Sequence, residues 1–191
     1  DTAYRMGRVT LNPIKHIDPF GTIILPGLLI FMGASFIFGY AKPVPVKFAN
    51  LRKPKRDMFW VALAGPAANI GMAVIATLLL YATPIMPEGF ATWWIEMLSV
   101  AIHLNIILAV FNMLPILPLD GGRMLVGMLP RDYALLFAKT ERYGFLVLIG
   151  IIFVLPLIAD AFGVLFHPLA WILLPVVSWL SEVLLIALGF G

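Results

Sequence analysis

Cysteine is absent from the 191-residue chain. That excludes a disulfide framework, a thiolate metal site and a cysteine nucleophile. Charge is scarce: Asp, Glu, Lys and Arg make up 12% of the residues, against roughly 25% in a soluble domain. No signal-peptide pattern, low-complexity stretch or internal repeat is evident. Apolar residues are abundant instead, at 62% of the chain with a mean hydropathy of +1.01. One aqueous core cannot absorb that much apolar surface. Runs of about 18 or more apolar residues recur, which marks an integral membrane protein in a lipid bilayer. The net charge of +3 does not imply nucleic acid, because the charges flank the apolar runs.

All 13 Lys and Arg fall in three segments, residues 1–22, 41–57 and 121–142. The connections 84–92 and 160–168 carry none. By the positive-inside rule the basic segments are cytoplasmic and the bare connections lie outside. The expected fold is an all-α polytopic membrane protein, a single domain over 1–191, with spans at about 59–83, 93–117, 143–159 and 169–190. The first and third spans run outward and the second and fourth return. Trp60, Trp93, Trp94 and Trp171 lie near predicted span ends, where interfacial aromatics gather.

Residues 23–40, IILPGLLIFMGASFIFGY, are flanked by basic residues on both sides. Pro26, Gly27, Gly33 and Gly39 weaken a straight helix there. A re-entrant or kinked segment is expected. Residues 41–48, AKPVPVKF, alternate Pro with Val. Pro43 and Pro45 force extended backbone. The segment reads either as an edge strand able to pair with an extended peptide or as a stiff connector.

Asp120 stands out among the polar residues. It follows a long apolar run, in FNMLPILPLDGGR at residues 111–123. A carboxylate at membrane depth costs roughly 2.5–3.5 kcal/mol, and a metal ion is one of the few partners that offsets the cost. The plainer alternative is a cap for a helix opening at Gly121 and Gly122. Pro115 and Pro118 break the preceding helix, which can bring Asn112 and Asp120 to one cavity. Asn69 lies in AGPAANIG, where Gly65, Ala67, Ala68 and Gly71 allow a close helix approach. It reads as an interhelical hydrogen bond or as a contact to the site. His103 precedes Asp120 by about 25 Å of helix, too far to share one ion. Glu96 and Glu182 are further ionisable groups within apolar spans.

Together these segments resemble the site-2 protease family of intramembrane zinc metalloproteases. FNMLPILPLDGGR matches the family motif N-x-x-P-x-x-x-x-D-G through Asn112, Pro115, Asp120 and Gly121. AGPAANI, with Gly65, Pro66 and Asn69, resembles the helix that follows the family's strand-like substrate region. GRVTLNPIKHIDPFGT and FGYAKPVPV are similar to segments of compact bacterial and archaeal members without a PDZ domain. The resemblance implies a metalloendopeptidase that uses Zn²⁺ to cleave transmembrane segments near the cytoplasmic face, in a bacterial or archaeal cell membrane. It implies Asp120 as a metal ligand and Asn112 as a catalytic group beside the metal. Lys42, Pro43, Val44, Pro45, Val46 and Asn69 become the substrate contacts. In the family two His of an H-E-x-x-H helix complete the zinc site, and the Glu activates water.

The chain has only His16, His103 and His167, and no H-E-x-x-H. It opens on Asp1, and DTAYRMGRVTLNP reads as mid-protein sequence, so that motif is expected upstream and residues 1–191 alone are not expected to hydrolyse peptides. Two other classes stay open: a transporter or channel with a broken-helix cation site at Asp120, and a non-catalytic scaffold for a membrane partner. The lack of a repeated half weighs against transport.

Overall fold

The computed structural model describes residues 17–31 and 54–190. The chain divides into two compact units, Asp1–Leu51 and Arg52–Gly191. In the first unit a π-helical stretch, Pro19–Ile24, runs into the short helix α1, Leu25–Phe31. Asp18 opens it by accepting a hydrogen bond from the Gly21 amide at 2.8 Å. Of the apolar segment 23–40 only residues 23–31 are described, and the expected re-entrant or kinked path through 32–40 lies outside the described residues. Residues 32–53, including the proposed extended segment 41–48, lie outside the described residues.

The second unit is all-α among its described residues. Helix α2, Pro54–Leu79, is joined by a 3₁₀ turn, Leu80–Ile85, to α3, Glu88–Asn112. Two short helices follow, α4 at Asp120–Met128 and α5 at Arg131–Ala138. A bent rod comes next: α6, Glu141–Ile149, a π-helical stretch Gly150–Val154, and α7, Leu155–Ala161. The last helix, α8, is Pro168–Ala187. Four stretches are long and apolar enough to cross a membrane: Lys55–Ile85, Glu88–Asn112, Glu141–Ala161 and Pro168–Ala187. They match the four expected spans.

Small residues set the packing of α2. Ala62, Ala73 and Ala76 are buried at helical spacing and lie on one stripe with Gly65 and Asn69. Ala73 and Ala76 join Leu98, Ile102, Ile106 and Val177 in a core shared by α2, α3 and α8. Lipid offers no hydrophobic drive for helix association, so close van der Waals fit through small residues does this work. Thr77 is fully buried and satisfies its hydroxyl on the Ala73 carbonyl at 2.9 Å. The outward faces are apolar too, as at Ile75, Val100, Leu104 and Trp179, as a lipid-facing surface requires.

The direction of α8 differs from the charge-based expectation. The Tyr81 hydroxyl donates to the Leu188 carbonyl, and the Tyr81 and Phe190 rings lie 4.6 Å apart. The end of α8 therefore sits beside the α2–α3 turn. Val176 and Leu180, earlier in α8, line an apolar groove with Leu63 and Met113 at the other end of the α2–α3 pair. Helix α8 thus runs with α2 and against α3. Its expected return direction assumed strict alternation, and no Lys or Arg follows Arg142, so no charge marked either end of α8. Its first turn instead lies beside Ile151, Ile152 and Pro156, midway along the rod.

Gly144 lets α6 press against the α3–α4 connection. A Cβ there would collide with the Leu117 carbonyl oxygen, a backbone atom that cannot swing away. Gly144→Ala is expected to destabilise the protein by about 1–3 kcal/mol, as overpacking does. Thermal unfolding in detergent measures this.

Candidate functional site: the broken helix at Asn112–Asp120

Helix α3 stops at Asn112. Pro115 and Pro118 lack amide donors, so the helical ladder cannot continue through 113–119. Short-range bonds replace it: Leu114 N–H to Phe111 O at 3.1 Å and Leu119 N–H to Ile116 O at 2.9 Å. The Leu117–Pro118 peptide is cis. The chain then doubles back on itself. A Cβ on Gly121 would overlap the carbonyl oxygen of Met113, so the residues after Asn112 and Asp120 touch. The expected break is present, and it folds the two halves of the motif together.

Helix α4 lies antiparallel on the first half of α2. At one end Asp120 faces Gly65. At the other, the Lys55 ammonium donates to the Leu129 carbonyl at 2.7 Å, which closes an orphan carbonyl at the helix end. An ideal Cβ on Gly65 would stand 2.5 Å from Asp120 Oδ2, so the carboxylate is seated in the space that only a glycine leaves. This contact was not foreseen from the sequence. Gly65 in AGPAANIG signalled a close approach, but not which group approaches.

Asp120 does not cap α4. The N-cap is Leu119, with no side-chain cap hydrogen bond. Asp120 is instead the first helical residue, where the helix dipole favours a negative group. It is half-buried, and burial raises its carboxyl above the usual carboxylate range, partly opposed by the Arg123 guanidinium. Arg123 is in turn 3.6 Å from Glu141 at the start of α6. No hydrogen bond ties the Asp120 carboxylate to another described residue. The carboxylate is therefore a candidate oxygen donor to a cation.

Asn69 lies one turn beyond Gly65 on the packed stripe of α2 and is half-buried. It makes no hydrogen bond among the described residues, so the plain interhelical bond is not formed there. Asn112 likewise ends α3 with its side chain unbonded among the described residues. His103 is elsewhere: it is exposed, and its Nδ1 donates to the Ser99 carbonyl at 2.9 Å. Asp160 lies exposed on α7. Lys42, Pro43, Val44, Pro45, Val46 and His16 lie outside the described residues.

Residues 85–155 match the model of peptidase family M50. A Bacillus subtilis protein that carries a zinc-metalloprotease name, YwhC, is 40% identical over 161 residues, 82% of this chain and 69% of its own length. A Mycolicibacterium smegmatis protein named in the same way, Rip2, is 31% identical over 143 residues. That alignment takes in 75% of this chain and 52% of Rip2.

The chain belongs to peptidase family M50, the site-2 protease family.

No solved structure matches it. The M50 match spans α3, the break, Asp120 and the rod as far as Leu155, so both Asn112 and Asp120 fall within it. Gly65 and Asn69 lie before it. Chemically, Asp120 fits one position of a metal shell: an anionic oxygen donor, part-buried, against a wall without a side chain. A catalytic zinc takes three protein ligands. Among the described residues no three His, Cys, Asp or Glu side chains converge.

Proposed function

We propose that this membrane protein is an intramembrane zinc metalloprotease that cleaves transmembrane segments of other proteins near the cytoplasmic face of a prokaryotic cell membrane. The observation that carries the reading is the Asp120 carboxylate held against Gly65 where α3 unwinds. Family membership and the names of its relatives support the metal and the reaction class. Asp120 serves as one ligand to Zn²⁺. The bound metal supplies Lewis acidity toward a peptide carbonyl and toward water.

This chain's own residues do the rest of the work. The break at 113–119 puts backbone polar groups at membrane depth, which is tolerated only beside protein or a wet cavity. That gives water a way to the scissile bond. Asn112 holds the substrate carbonyl or the developing oxyanion by an amide donor. Asn69 lends a second polar contact from α2. Lys42, Pro43, Val44, Pro45 and Val46 receive the unwound substrate as an added strand. The apolar groove of about 510 Å³ beside Pro66, Ile70 and Met113 accepts an apolar substrate side chain.

Reconstitution of the complete gene product with a membrane-spanning reporter tests this. Cleavage is expected to stop with a zinc chelator and to return with about one equivalent of Zn²⁺ per protein. Cation flux across the same vesicles should match protein-free vesicles. Asp120-dependent flux without cleavage would instead establish the transport reading.

A further inference from the structure

The interior of the apolar spans holds few ionisable groups, and Glu182 in the last third of α8 is one of them. It has no ion pair or hydrogen bond among the described residues. A carboxylate within an apolar span is expensive and normally faces a partner. Glu182 opens onto a groove of about 700 Å³ between α3 and α8, which it lines with His103, Ser178, Ser181, Leu185 and Ile186.

Each of these polar side chains can accept a hydrogen bond from a donor placed in the groove. An ionised Glu accepts only. The Ser99 carbonyl can only accept, so His103 Nδ1 carries a hydrogen at their 2.9 Å contact. In the neutral form of that tautomer Nε2 carries a lone pair. Ser181 is 5% exposed, and its Oγ has no hydrogen-bond partner. A hydroxyl so buried loses water without compensation unless a ligand supplies it.

We propose that this groove docks a membrane-spanning helix of another protein, with a Lys ammonium of that helix placed among Glu182, His103 and Ser181. An ammonium has three donors, and the Glu182 carboxylate, His103 Nε2 and Ser181 Oγ can each accept one. Its apolar stem lies along Leu185 and Ile186 while the charge meets the carboxylate. The four spans Lys55–Ile85, Glu88–Asn112, Glu141–Ala161 and Pro168–Ala187 of a second copy do not offer the cation at this depth. All 13 Lys and Arg lie in residues 1–22, 41–57 and 121–142. Helices α3 and α8 therefore have none, and α2 and α6 carry theirs only in the first turn. His103 lies about 13 Å of helix from Asn112 and about 22 Å from Glu88, deeper than a lipid headgroup sits, while the groove reaches Gly189 and Phe190 just past the end of α8, so the lipid exchange tests a headgroup ammonium. The groove is on the α8 side of α3, while Asp120 faces α2, so docking here is separate from the chemistry at Asp120.

Energy transfer between the labelled complete gene product and labelled Leu/Ala peptides of about 21 residues, long enough to span, tests the assignment in phosphatidylcholine vesicles. A peptide with a central Lys is expected to associate about tenfold more tightly than one with a central Leu. Glu182→Gln, close to isosteric, should reduce that preference to below about twofold, and His103→Gln should weaken it in the same direction. If Glu182→Gln fails to fold by thermal unfolding, His103→Gln carries the comparison alone. Equal association of the two peptides, or a preference that survives in the folded variants, overturns the proposal. So does loss of Lys-peptide binding when phosphatidylethanolamine replaces phosphatidylcholine, because the lipid ammonium would then be the occupant.

Discussion

Asp120→Asn is expected to abolish reporter cleavage and to strip most of the zinc from the complete gene product. The amide keeps the size of the side chain but loses its charge, so the fold around Gly65 should persist. Losing an outer partner of a metal ligand costs roughly 10–100-fold in affinity or activity, and losing a ligand should exceed that. Each tenfold corresponds to about 1.4 kcal/mol of barrier. Asp160→Asn is the matched control. Asp160 is exposed on α7, and the same change there should leave zinc content and cleavage within about twofold, as surface substitutions away from such features do. Metal analysis and cleavage rates, read together, separate the outcomes. Equal activity in the two variants would remove Asp120 from the metal site. Full zinc content with lost cleavage would make it a substrate-positioning group instead.

Asp120 could be singled out from the sequence because lipid restricts what a chain can place at depth. A carboxylate after a long apolar run is expensive, and two prolines and two glycines around it announce broken helix. The four spans were legible for the same reason: only satisfied backbone crosses hydrocarbon, so long apolar stretches have few alternatives to helix. The second span ends at Asn112 and not near 117, because Pro115 removes the amide that the next turn would need. The direction of α8 was not legible. Charge asymmetry orients spans, and the last 49 residues hold neither Lys nor Arg. What fixes α8 is the contact of Tyr81 with Leu188 and Phe190, a long-range fit that leaves no local pattern. The groove at Glu182 was equally hidden. Its three polar residues come from two helices about 80 residues apart in sequence, and each alone reads as an isolated polar residue.

Gly65 carries the other large expected effect, and it comes from packing rather than from charge. A side chain at position 65 must share space with the Asp120 carboxylate, since its Cβ would be 2.5 Å from Oδ2. Ordinary contact begins at about 3.4 Å, so something moves by close to 1 Å. The oxygen is the far end of a rotatable side chain, whereas the helix backbone is fixed by its ladder. The carboxylate therefore swings away and the fold stays. Misplacing a reacting or ligating group by about 1 Å costs on the order of 100-fold. Gly65→Ala is expected to lower kcat/KM by about that factor and to reduce zinc retention, with the melting temperature little changed. Gly65→Val adds two methyl groups beside the same oxygen and should be worse. Gly71→Ala, on the same helix, meets nothing within 4 Å and should keep full activity while gaining about 0.5–1 kcal/mol from helix propensity. Cleavage rate, zinc content and unfolding temperature across the three variants test the contact. If Gly65→Ala cleaves like Gly71→Ala, the carboxylate does not work from the place where Gly65 seats it.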